Sequence, residues 1–424
     1  MKTIIISFIT GLILSVHGLS AQMLTLEECQ RLAKDNYPLI RQYDLLTHAE
    51  KYNLSNVTKS YLPQFSLNGQ ATYQSHVTKI PIDLSSLPVP MEITPLDKDQ
   101  YKATIDVNQK IWDGGVAHSQ QKLIKANTEV EKKQLEVSLY SIQEQVNQLY
   151  FGILAINEQL ELLKLLEEDM MANKNVMQSM LDNGVAMQSD LDQLDVELLN
   201  IEQNRTEQNS LKEAYVKMLS LFIHKEISTN TNLIKPEDSQ LISNNINRPE
   251  LDYYNSQKLS LDAQRSSISA KNMPQLGFFV QGGYGRPGLN MLENKFQLYA
   301  MGGIKFTWNF GNLYTRKNEI RIIENNQKSI DVQEETFRFN TNLQLTKEQA
   351  EINKIKKLLD KDDEIIRLRH RVKRASESKY KNGVYQINDL IRDINAENQA
   401  RQTKAIREIQ HLQSIYNYKY IQGN

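Results

Sequence analysis

Few residues in this chain are arranged for covalent or metal chemistry. The histidines beyond the N-terminal segment are His48, His76, His118, His224, His370 and His411. None stands at a ligand-like spacing from another. Cys29 is the only cysteine, which excludes a disulfide within the chain and reads as a buried structural thiol. Neither a phosphate-cradling glycine loop nor a nucleophile with a local partner motif occurs. No catalytic, cofactor-binding or metal-ligating residue is assigned, and the chain is not read as an enzyme. Carboxylates are more informative. Asp190 and Asp389 each follow a glycine by six residues, Gly184 and Gly383, and Asp393 lies one helical turn beyond Asp389. On a first helical turn such acids interact favourably with the helix dipole.

The elements around these acids are long helices. Leu139, Ile142, Val146, Leu149, Ile153, Ile156, Leu160 and Leu163 step alternately by three and four, a coiled-coil seam. The pattern predicts helix from Val116 to Leu181, about 99 Å long at 1.5 Å per residue. Asn183-Gly184-Val185 then turns the chain, because Asn and Gly tolerate left-handed backbone angles. A returning helix starts near Ser189, with Leu191, Leu194, Leu198 and Ile201 on its seam. Asn382-Gly383-Val384 makes a second such tip, and Ala405, Ile409, Leu412 and Tyr416 continue the second return.

The tips belong to a wider duplication. Asn36-Tyr37-Pro38 and Asn247-Arg248-Pro249 each open a helical run, and Leu62-Pro63-Gln64 and Met273-Pro274-Gln275 close them at the same offset of 211. Trp112-Asp113-Gly114-Gly115 is answered by Trp308-Asn309-Phe310-Gly311 at 196, and the tips by each other at 199. Thr25-x-x-Glu28 is a capping box that opens the first helix. After each helical run the sequence alternates with period two. Phe65, Leu67, Gly69, Ala71 and Tyr73 oppose Gln64, Ser66, Asn68, Gln70 and Thr72, and Tyr101, Ala103, Ile105 and Val107 form the next apolar face. Copy two repeats this with Leu276, Phe278, Val280 and Tyr284, then Leu298, Ala300, Ile304 and Phe306. In the fourth strand the parity relative to the tryptophan is inverted compared with the second, through either a bulge or a one-residue misalignment. Strands of ~12 residues tilted by ~45° cover a bilayer's hydrocarbon core, so four such strands suit a membrane barrel. Four cannot close one, and eight fill their own interior, so an open channel needs three copies and twelve strands. The connection carrying Pro81, Pro88, Pro90 and Pro95 is long and the one from Arg286 to Lys295 is short; long loops of such barrels face outward.

Glycine and proline are sparse, 17 and 10 in 424 residues, as in long helices. Fifty basic and 51 acidic residues are interspersed without a basic face, which argues against nucleic acid. Residues 1–21 read as a secretory signal peptide: Met1-Lys2, an apolar run from Ile4 to Val16, then small residues through Ala21. The expected organisation is a signal peptide (1–21), a first repeat (22–222), a linker (223–246) and a second repeat (247–424).

With Leu24-Thr25-Leu26-Glu27-Glu28, Arg248-Pro249-Glu250-Leu251, Trp112-Asp113-Gly114-Gly115 and the paired Asn-Gly-Val tips in order, the chain resembles the TolC family of outer-membrane efflux proteins from about residue 23 onward. The resemblance implies an α+β membrane protein. Three subunits would form a homotrimer with a 12-stranded β-barrel in outer-membrane lipid and a periplasmic α-barrel of coiled-coil helices. It implies a passive exit duct that works with a periplasmic adaptor (membrane fusion) protein and an inner-membrane transporter. The tips, Asn183, Gly184, Val185, Asn382, Gly383 and Val384, would dock the adaptor. Asp190, Asp389 and Asp393 would serve the periplasmic aperture, although the family's second acid falls three residues after its first, where this chain has Arg392. The competing reading is a periplasmic coiled-coil adaptor or scaffold, which would typically carry one helical hairpin and no duplicated amphipathic strand pairs.

Overall fold

The computed structural model describes residues 24–77, 96–238 and 245–424. The signal peptide, the four prolines of the long connection and part of the linker lie outside them. The order is α1 (Leu26–Asn36), a 3-10 turn (Pro38–Arg41), α2 (Gln42–Lys59), β1 (Gln64–Tyr73), β2 (Asp99–Trp112), α3 (Val116–Asp182), α4 (Gln188–Ile223), α5 (Pro249–Lys271), β3 (Gln275–Arg286), β4 (Gln297–Thr307), α6 (Asn312–Lys381) and α7 (Ile387–Gln422). The repeat is visible in the boundaries: β1 and β3 begin at Gln64 and Gln275, at the sequence offset of 211. Pro38 interrupts the first helical run because it lacks an N–H and forces Tyr37 into extended backbone (ψ 131°). Pro249, by contrast, sits at the start of α5, where a missing N–H costs nothing.

The chain packs as two compact units, each drawing on both repeats. One contains residues 41–138 and 248–340 and holds the sheet. Its four strands are antiparallel in the order β1-β2-β3-β4, so the two repeats meet at β2 and β3 and the outer edges of β1 and β4 are unpaired. The inverted parity is a bulge: pairing with β3 shifts between Lys110 and Trp112, and Trp112 aligns with Leu276 in the place Ile111 would otherwise take. Trp112 thereby joins the face of Tyr101, Ile105 and Val107.

Past the bulge, Asp113 starts α3. Its carboxylate accepts the backbone N–H groups of Gly115 (2.9 Å) and Ala117 (2.7 Å), donors that a helix start leaves free. Gly114 has φ +70°, and a Cβ there would lie 2.6 Å from Met273 Cβ and 3.0 Å from the Pro274 carbonyl oxygen. Gly115 has φ +85° but open space around it. Gly114→Ala should therefore cost about 2–3 kcal/mol, from strain plus overpacking, and Gly115→Ala only about 1. Thermal midpoints of the two detergent-solubilised variants check this ranking.

The other unit contains residues 24–40, 139–247 and 341–424, and is helical. Seven of the eight predicted seam residues from Leu139 to Leu163 are buried, Leu160 being half-buried. Thr25 caps α1 by accepting the Glu28 N–H at 3.2 Å. Cys29 is fully buried one residue further, and burial foremost, with Glu28 and Glu27 adding to it, pushes its thiol up to about 12. After α4 the linker is pinned to the N-terminal segment. Leu24 bridges Leu233, and the Tyr150 hydroxyl reaches the carbonyl oxygens of Leu24 and Ile234, each at 2.7 Å. Among the described residues no helix is long and apolar enough to cross a membrane.

Candidate functional site

The sheet sorts most of its side chains by face, the exceptions including Gln109, which pairs with Phe278 on the apolar side, and Phe279, which pairs with Asn108 on the polar side. Cross-strand partners share a face, and the register aligns Phe65, Val107, Val280 and Gly302 in one row and Leu67, Ile105, Gly282 and Ala300 in the next. Phe278 and Ile304, then Trp112, Leu276 and Phe306, extend the same face. Most of this face is exposed, Leu67 to 77% and Leu298 to 84%, with Val107 and Leu276 half-buried, although nothing in the subunit requires hydrocarbon in water. Aromatic side chains bracket the face. Tyr101, Tyr284 and Phe296 stack at one end, held by Arg286, whose guanidinium lies 5.5 Å from the Phe296 ring and pairs with Asp97 (3.2 Å) and Asp99. Trp112 and the Trp308–Phe310 pair (4.5 Å) mark the other end.

The opposite face is polar. Asp106 accepts hydrogen bonds from Asn68 (2.7 Å), Thr104 (3.0 Å) and Gln281, tying three strands together. Gly283 leaves the space that the Tyr299 ring occupies, and Lys102 stands 5.8 Å from that ring.

In the helical unit the two tips have nearly the same geometry. Gly184 (φ 74°) and Gly383 (φ 72°) take the left-handed conformation. Val185 N–H donates to the Met180 carbonyl and Val384 N–H to the Lys379 carbonyl, both at 2.9 Å; Asn183 and Asn382 side chains donate to Ser179 and Ser378 carbonyls, both at 2.7 Å. This is a Schellman closure made twice. Val185 and Val384 are left exposed at the apex, 74% and 70%. The three aspartates are placed differently from one another. Asp190 accepts the Met187 N–H at 3.1 Å and so caps α4. Asp389 pairs with Arg392 at 3.1 Å. Asp393 is buried and accepts the Ser376 hydroxyl at 2.5 Å, which ties α7 to α6. One helical turn advances the side chain by about 40°, enough to carry position 393 from the exposed side of α7 to its packed side.

A cluster that sequence reading missed lies further along the hairpins. Glu397 on α7 is almost fully buried and is contacted by Arg401 (2.6 Å), His370 (3.1 Å) and Lys373 (3.5 Å), and Lys373 also bonds Asp169 on α3 (2.6 Å). Burial alone would raise the Glu397 carboxyl. The Arg401 hydrogen bond, Lys373 and His370 outweigh it and hold the group below its ordinary value. Only the Glu397/Arg401 spacing of four residues hinted at this in sequence. Among the described residues no group of three or more His, Cys, Asp or Glu could hold a metal ion.

Residues 30–219 match the family model described as outer membrane efflux protein. No curated protein is significantly similar to the chain. Among solved structures, the outer-membrane channel OprN superposes with a TM-score of 0.67 at 12% identity, over 94% of this chain and 89% of that one. The CmeC outer membrane channel of Campylobacter jejuni gives 0.64 at 15%, over 94% and 85%. The MtrE outer membrane channel of Neisseria gonorrhoeae, in its open state, gives 0.62 at 13%, over 93% and 88%.

Proposed function

From residues 30–219, which belong to the outer membrane efflux protein family, and from the channel fold of the described chain, we propose that three copies form an outer-membrane exit duct. The observation that carries this reading is the four-stranded sheet with one continuous exposed apolar face, one polar face and two unpaired edges. Between Tyr101 and Trp112 the strand spans about 33 Å at 3.3 Å per residue with one residue bulged, or about 23 Å along a barrel axis at ~45° tilt. That matches the ~25 Å apolar band of outer-membrane barrels between aromatic girdles. Three sheets supply twelve strands and leave no edge. The polar face around Asp106 then lines the pore.

In this reading the duct is passive, as the family resemblance implies. Energy comes from an inner-membrane transporter through a periplasmic adaptor, and the two exposed tip valines with their flanking Asn-Gly turns are the adaptor's docking points. Membrane fractionation tests the reading. The protein should require detergent, migrate as a heat-sensitive trimer and conduct in planar bilayers; a water-soluble monomer would overturn it.

The periplasmic aperture is assigned to Asp190 and Asp389, on the first turns after the tips, with Asp393 acting by fixing α7 against α6. Because Asp389 is neutralised locally by Arg392, Asp389→Asn should leave Arg392 with only its longer contact to Asp393 (3.8 Å) and add net positive charge in each subunit. The variant should show weaker block by divalent cations, about tenfold in concentration, and a shift toward anions. Unchanged single-channel conductance and block would remove Asp389 from the aperture.

A further inference from the structure

The polar face of the sheet is unevenly charged. Its paired rows carry Lys102, Lys110 and Lys305 against a single carboxylate, Asp106. The other two strand charges, Asp99 and Arg286, pair with each other. Lys102 is committed to the Tyr299 ring, and Asp106 to Asn68, Thr104 and Gln281. Lys110 and Lys305 are exposed, and among the described residues neither makes an ion pair or a hydrogen bond. Asp113, whose field reaches Lys110, has its oxygens taken by the N–H groups of Gly115 and Ala117. Asp106 stands four residues from Lys110 on the same face. That is about 13 Å at 3.3 Å per residue, beyond the ~10 Å over which exposed charges act at 0.1 M salt. The register sets the two free lysines in one row, because Lys110 on β2 and Lys305 on β4 both pair with Gly277 on β3. Neighbouring strands lie about 4.8 Å apart, so the two backbones are about 10 Å apart with no side chain between them. Flexible four-carbon stems let both ammonium groups reach over that gap. Both lysines line one cavity of about 200 Å³ beside the bulge, together with Gln275 and Thr307.

We infer that Lys110, Gly277 and Lys305 form a binding site for an anionic group, and that the duct favours solutes bearing carboxylate or phosphate groups. This rests on the duct reading above, in which the polar face lines the pore, and adds to it the chemical class of the cargo. The row lies at the end of the sheet that joins α3, α5 and α6, where a solute passes from the helices to the strands. Three copies set six such lysines at one level of the lumen. Rings of Lys or Arg are the general basis of selectivity for anions and phosphates in pores. A wall of one sign raises the local concentration of the opposite ion, and the effect falls with ionic strength. Gly277 keeps the gap open, since a side chain there would occupy the place of the anion.

The test uses the full chain in planar bilayers at about 0.1 M KCl, with inorganic triphosphate as the probe. Wild-type channels should be blocked by triphosphate, and the block should fade as KCl is raised to about 1 M. Lys110→Gln with Lys305→Gln should weaken block about tenfold in concentration and lower the chloride-to-potassium permeability ratio at least about twofold. Each single change should weaken block about threefold. Lys110→Arg with Lys305→Arg keeps the charge and should keep block within about twofold. Lys102→Gln removes an ammonium already held on Tyr299, and should also stay within about twofold. Gly277→Asp leaves every lysine in place but puts a carboxylate between two of them, and should weaken block at least about tenfold. Unchanged block in the double glutamine variant, in channels that still conduct, would overturn the proposal. So would an equal loss of block in the arginine variant or in Lys102→Gln. A wild-type protein that forms no channel would instead overturn the duct reading, and the anion site with it.

Discussion

In the proposed trimer, Ile105→Arg should abolish heat-sensitive assembly and recovery in the outer membrane, whereas Ser66→Arg, at nearly the same depth, should leave both intact. Ile105 lies on an inner strand between Leu67 and Gly282, midway along the apolar face. A guanidinium at the midplane of a bilayer costs about 2–4 kcal/mol per copy on such a barrel. Three copies incur it together, so the assembly loses about 6–12 kcal/mol, comparable to the whole stability of an ordinary domain. Ser66 pairs with Asp106 on the other face, where an arginine meets water and a carboxylate. Its effect should be confined to conduction, as a shift away from cations. Trimer yield on unheated gels and reversal potentials in planar bilayers separate the two outcomes. Equal loss in both variants would mean that the faces do not divide lipid from water.

Much of the fold was legible because it is written in local periods. Alternation over Phe65–Tyr73 and Tyr101–Val107 set the strand faces, and steps of three and four over Leu139–Leu163 set the buried seam, which tertiary packing then used unchanged. Left-handed glycines at 184 and 383 followed from Asn-Gly, whose turn needs no distant partner. What could not be read was anything decided between segments distant in sequence. The pairing of β2 with β3 joins residues about 175 apart, and the bulge at Ile111 is defined only by that pairing. Asp393 looked equivalent to Asp389 at one-turn spacing, but which side of α7 is covered depends on where α6 lies. The same limit hid the charged cluster, whose members come from α3, α6 and α7. Division into two repeats, visible as matching motifs, describes the symmetry of the chain, while each compact unit takes segments from both repeats.

That cluster should be the most sensitive site in the helical unit. Glu397→Ala leaves Lys373, itself only 11% exposed, with Asp169 as its one remaining carboxylate, and leaves Arg401 and His370 without theirs. Breaking a buried ion pair from one side costs about 3–5 kcal/mol, and partial exposure of Arg401 and His370 brings the expected loss to about 2–4. Glu397→Gln keeps the shape and one acceptor, so it should lose about half as much. The pH dependence has a definite sign. Because the folded state holds the Glu397 carboxyl below its ordinary value, its contribution is full above the unfolded glutamate range and disappears as pH falls through the lower folded value. The gap in thermal midpoint between wild type and Glu397→Gln should therefore be widest at neutral pH and close on acidification. A gap that widens in acid, or a Glu397→Ala midpoint equal to wild type at pH 7, would mean that the cluster does not hold α3, α6 and α7 together.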